Sequence, residues 1–196
     1  MSATQTLIDV YDHSPPSVRR RGRSWYPEAR RLLTRLAEEH SRPLAQVVAI
    51  FAITSGDTQL TSNIRFTEQV LRGERKAGRY PTFQAPLIEL ALSSSQPGQH
   101  VRGPKCSAFY RAIMGDTDAL VLDRWSVRAA GIVRERKDLN VTIRRELDAS
   151  YREAAKLCGE TVRAFQAIAW IAVRESTPNG RAVIPRLVDI HAFSGT

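Results

Sequence analysis

The sequence predicts an all-α protein, and three observations carry that prediction. Apolar residues recur at helical spacing along most of the chain, capping residues and glycines fall where those stretches begin and end, and alternating apolar patterns are scarce. With 196 residues, 42% of them hydrophobic, the chain is long enough to bury a core as one domain or as two closely packed helical lobes.

Residues 1–24 end in Arg19-Arg20-Arg21-Gly22-Arg23 after Pro15-Pro16. This composition predicts a flexible basic N-terminal arm able to touch phosphates, and leaves 25–196 as a single helical domain. From Tyr26 to His40, apolar residues at Tyr26, Ala29, Leu32, Leu33, Leu36 and Ala37 form one helical stripe. Ser41 as a cap and Pro43 in the first turn open a helix from Leu44 to Thr54, apolar almost all round and therefore central. A helix from Leu60 to Arg72 stops at Gly73, and a short one runs from Pro86 to Leu92.

Ser93 to Gly103 is rich in serine and glycine and predicts a loop, followed by a helix from Pro104 or Lys105 to Met114. After the turn Gly115-Asp116-Thr117-Asp118, the stretch Ala119 to Leu122 predicts a short buried extended segment. Asp123 is then placed to cap a helix reaching roughly Glu135. Helices at Ile143–Cys158 and Val162–Arg174 follow, separated by Gly159 as C-cap and Thr161 as the next N-cap. The tail from Ala182 to Phe193 is expected to pack over the core.

Charge narrows the function. The net charge of +9 favours a polyanionic partner, because clustered arginines and lysines release counterions on binding DNA. The two cysteines, Cys106 and Cys158, have no C-x-x-C spacing, so neither a four-cysteine cluster nor a disulfide framework is expected; no cofactor or metal is predicted. The N-terminus lacks a signal-peptide core, and no run reaches the ~18 apolar residues of a membrane span. A monomeric, cytoplasmic, nucleoid-associated protein is the expectation.

The chemistry concentrates between Gly103 and Trp125. A helix from Lys105 to Met114 is ~15 Å long, whereas the nine residues from Gly115 to Asp123 can span up to ~30 Å, so the chain is able to return to the start of that helix. Lys105 and Asp123 are thereby expected at the same end of one helix.

On these residues the chain resembles the helix-hairpin-helix DNA glycosylases of the endonuclease III type, in the style of divergent actinobacterial and phage members. The hairpin motif falls at about 97–115, and the separation from Lys105 to Asp123, 18 positions, is the one that family uses between its lysine and its catalytic aspartate. Ile53-Thr54-Ser55-Gly56-Asp57-Thr58-Gln59-Leu60-Thr61-Ser62-Asn63-Ile64 resembles the family's minor-groove loop, and Phe165-Gln166-Ala167-Ile168-Ala169-Trp170 resembles its closing helix. Three departures stand out: Pro104 replaces a residue whose amide would hold a phosphate, Arg124-Trp125 follow the aspartate where the family has Thr-His, and the iron-sulfur cysteines are absent.

The resemblance implies an enzyme that binds double-stranded DNA, including damaged or modified DNA, flips a base and cleaves its N-glycosidic bond, with possible lyase action. Lys105 and Asp123 are the catalytic candidates. Thr58, Gln59, Asn63, Lys76, Arg102, Gly103 and Arg124 are the DNA-binding candidates, with Arg65, Arg72, Arg75 and Arg79 on the same face. Trp125 and Trp170 are candidates for a base pocket. A pyrimidine hypermodification enzyme on the same scaffold and a non-catalytic DNA-binding module are the alternatives.

Overall fold

The computed structural model describes residues 1–56, 58–74, 84–132 and 141–177. The helical prediction holds: the described residues contain nine α-helices, one 3-10 turn and no strand. The helices are α1 (Ala3–Asp12), α2 (Pro16–Glu39), α3 (Leu44–Thr54), α4 (Leu60–Leu71), α5 (Ala85–Ser93), α6 (Pro104–Met114), α7 (Arg124–Ala129), α8 (Val141–Leu157) and α9 (Val162–Ser176), with the 3-10 turn at Pro97–His100. Arg75, Lys76, Arg79, Glu135 and the tail from Ala182 to Phe193 lie outside the described residues.

The chain divides into two compact units. In the described residues, the first joins Met1–Pro27 to 115–177, and the second is Glu28–Met114. The largest departure from expectation is at the N-terminus, which is structured rather than a flexible arm. Ser2 caps α1 by accepting the Gln5 amide, and Leu7 and Tyr11, one turn apart, are buried. They join Leu147, Tyr151, Phe165 and Ile168 in the core of the first unit, where Tyr11 stacks on Phe165 at 5.7 Å between ring centroids.

The arginine run is likewise engaged. Arg21 makes a bidentate pair with Glu175 at 2.6 and 2.7 Å, and Arg23 pairs at 2.6 Å with Glu160, which also accepts from Tyr11. Arg19 donates to the carbonyls of Ser14 and Asp12 while lying over the Tyr11 ring. Between them, Gly22 leaves room for α9: a Cβ there would stand 2.3 Å from Ile168 Cγ1 and 2.7 Å from the Ile168 backbone. Only glycine permits that approach.

In the second unit α3 is central, with Val47 to Thr54 buried, and it contributes Ala49, Ile50, Ala52 and Ile53 to a core completed by Ile88, Ala91 and Val101. Pro43, not Ser41, occupies the N-cap of α3; Ser41 instead adopts a left-handed conformation (φ 50°) just past the end of α2. Helix α7 ends at Ala129, earlier than the expected Glu135, and the turn runs through Gly131 at φ +76°, a conformation that suits glycine. Thr161 caps α9 as expected, accepting the Ala164 amide, and Gly159 takes φ +67°.

Candidate active site

Asp123 sits at the end of the buried stretch Ala119–Val121, where the chain turns into α7. Its Oδ1 accepts the backbone amides of Trp125 and Ser126, both at 2.9 Å. The Ser126 hydroxyl in turn accepts the Asp123 amide at 3.4 Å and closes a capping box. A cap needs no more than that. The second oxygen, Oδ2, is held separately by the Trp170 indole N–H at 3.1 Å, so both oxygens of a half-buried carboxylate are fixed.

A second layer holds this first one. Ser126, fully buried, lies 2.9 Å from the Val121 carbonyl and accepts from the Gln166 amide at 3.3 Å. Gln166 accepts from the Tyr26 hydroxyl at 2.8 Å, and the Tyr151 hydroxyl donates to the Ser126 carbonyl at 2.8 Å. Burial, reinforced by the Asp123 charge, pushes both phenols well above their usual range, so each stays a hydrogen-bond donor at neutral pH. Trp170 is braced by an edge contact with Trp25 at 6.0 Å. Tyr26, Ser126, Tyr151 and Gln166 were not among the residues expected from sequence; a glutamine inside the apolar run from Phe165 to Ile171 was the available signal.

Trp125, proposed from sequence for a base pocket, carries three guanidinium groups. Those of Arg124, Arg128 and Arg174 lie 5.7, 4.8 and 5.6 Å from its ring centroid, and Arg174 is also 5.0 Å from that of Trp170. Burial lowers the Arg174 pKa, against the opposing pull of Asp123.

Lys105 belongs to the second unit and Asp123 to the first. Lys105 is half-buried in the first turn of α6, and its Nζ reaches the Ser55 carbonyl at 3.5 Å; Ser55 Oγ is 3.9 Å from Cys106 Sγ. The first turn of α6 is thus joined to the end of α3, close in sequence to Thr58 and Gln59. Gly103 adopts φ +83° with open space where a Cβ would point, and Arg102 is exposed. Thr58 is half-buried and donates to the Gly56 carbonyl; Gln59 is exposed and makes no side-chain cap to α4.

Asn63 departs from its expected role. It is 2% exposed, donates to the Phe51 carbonyl at 2.9 Å and accepts from Thr54 at 2.6 Å. Its amide satisfies polar groups between α3 and α4, so it faces inward and does not present itself to a ligand.

Among the described residues no group of three or more histidine, cysteine, aspartate or glutamate side chains is placed to hold a metal ion, and no helix is long and apolar enough to cross a membrane. A family model described as a family of unknown function, DUF7178, matches residues 1–177. No curated protein and no solved structure matches the chain.

Proposed function

The chain belongs to the DUF7178 family, and from the aspartate site we propose that it is a DNA-binding enzyme that flips a base and cleaves its N-glycosidic bond. The observation that carries the reading is the double restraint on Asp123: cap amides on one oxygen and the Trp170 indole on the other. A carboxylate fixed before the substrate arrives needs no reorganisation as positive charge develops on the sugar, which is how a rigid anion lowers the barrier to an oxocarbenium-like transition state. As the C1′–N bond breaks, the base leaves with the bonding electrons, and water or an amine adds at C1′. The net charge of +9 supports a nucleic-acid substrate, and the resemblance of the Lys105–Asp123 segment to helix-hairpin-helix glycosylases supports the reaction class.

The test is a cleavage assay on duplexes carrying damaged or hypermodified bases, in which abasic sites are revealed as strand breaks by alkali. Wild-type protein produces them; Asp123→Asn keeps DNA affinity and loses ~10³-fold in rate, because the charge acts in the transition state. Borohydride assigns the nucleophile: trapping that disappears in Lys105→Ala identifies an imine with the opened sugar and lyase action, whereas undiminished base release by Lys105→Ala identifies water. DNA binding without base release from any substrate overturns the enzyme and leaves a binding module, with Asp123 as a structural cap. Altered pyrimidine mass with an intact glycosidic bond identifies hypermodification.

A further inference from the structure

The three arginines around Trp125 are not explained by the aspartate site. Arg124 and Arg128 are exposed and stand one turn apart on α7, a like-charge i,i+4 pair that destabilises a helix. Arg174 comes from α9, half-buried, and its Nε is shielded from solvent without a hydrogen-bond partner among the described residues. No carboxylate among the described residues forms an ion pair with any of the three. The nearby Asp123 has its oxygens committed to the α7 amides and to Trp170.

Contact with an aromatic face holds a guanidinium in place without using its N–H donors. The cluster therefore combines three cations held at aromatic faces with no ion-pair partner among the described residues. The contrast lies in the same unit, where Arg21 and Arg23 each close on a glutamate.

We propose that Arg124, Arg128 and Arg174 around Trp125 form a phosphate-binding site that takes one phosphodiester group of a DNA backbone. Guanidinium forks match the oxygens of a phosphate, and several converging on one group give it a defined position. The site as a phosphate site stands on the cluster alone; the choice of DNA as the source rests on the function proposed above.

Two titrations separate these claims. In the first, inorganic pyrophosphate is added while tryptophan fluorescence is followed: the wild type shows a saturable change, Arg124→Gln/Arg128→Gln loses at least 10-fold in affinity, and Arg20→Gln/Arg31→Gln, altering exposed arginines elsewhere, matches the wild type. In the second, a labelled duplex is titrated over a salt series. The double variant binds all sequences about 10-fold more weakly, and its log–log salt slope is shallower by about one, the expectation for one lost phosphate contact. Arg174→Lys, which keeps the charge and loses the fork, weakens both ligands in the same direction. Pyrophosphate binding without duplex binding keeps the phosphate site and overturns DNA as its source. Duplex binding whose affinity and salt slope are unchanged in the double variant, or pyrophosphate binding equal in both proteins, overturns the site and leaves the DNA reading standing.

Discussion

Asp123 and Lys105, the two residues singled out for chemistry, are held very differently. The aspartate in the first unit accepts from two backbone amides and an indole and rests on a buried serine, glutamine and tyrosine. The lysine in the second unit has one side-chain hydrogen bond among the described residues, to the Ser55 carbonyl at 3.5 Å, the outer limit of hydrogen bonding. A carboxylate that stabilises charge gains from rigidity, since a misplaced anion must be reoriented during the reaction. An amine on four rotatable bonds suits a group that moves to its target or simply meets solvent.

Removing the carboxylate should have the largest effect. Asp123→Ala strips the cap from α7 and leaves the Trp170 N–H without its partner, so urea unfolding should show a loss of about 2–4 kcal/mol. A loss below 1 kcal/mol would mean that the network around Asp123 adds nothing beyond an ordinary cap.

Alkali probes the two phenols behind Asp123. The hydroxyls of Tyr26 and Tyr151 have folded-state pKa values raised above the usual 10.0 by burial and by Asp123. Above pH 10 the unfolded chain has lost protons that the folded chain keeps. Stability is therefore fully present below pH 10 and declines above it, by up to about 1.4 kcal/mol per pH unit for each phenol. Tyrosinate absorbance should show these two residues ionising only as the protein unfolds, and Tyr151→Phe should flatten the decline.

The smallest effect is expected at Lys105. Lys105→Met keeps the aliphatic stem and discards only a marginal contact, so thermal or urea unfolding should move by less than about 0.5 kcal/mol. A larger loss would place the lysine among the structural residues and remove the contrast.

What was legible in the sequence follows from the range of the forces involved. Asp123 as a cap, Thr161 as a cap and Gly159 at a turn are decided by neighbours within four residues, and local reading found them. The N-terminal helices were missed although Leu7 and Tyr11 show the i,i+4 spacing, because the density of arginine from Arg19 to Arg23 suggested solvation. The carboxylates that accept those arginines, Glu160 and Glu175, lie more than 130 positions away in the chain, and a single sequence does not pair them. Asn63 illustrates the converse: its place in a motif suggested a surface role, whereas its neighbours Thr54 and Phe51 on α3 draw it inward.

The order in which the first unit is threaded bears on synthesis. Its core joins Leu7 and Tyr11 of α1 to Tyr151 of α8 and Phe165 of α9, so α1 emerges from the ribosome with an apolar face whose partners do not yet exist. At roughly 5–20 residues per second, translating from Tyr11 to Phe165 occupies roughly 8–30 s. The fold of the nascent chain is therefore completed from its late end. A stalled or truncated product lacking α8 and α9 presents the α1 face to chaperones and proteases, while α3 to α6 already have each other to pack against.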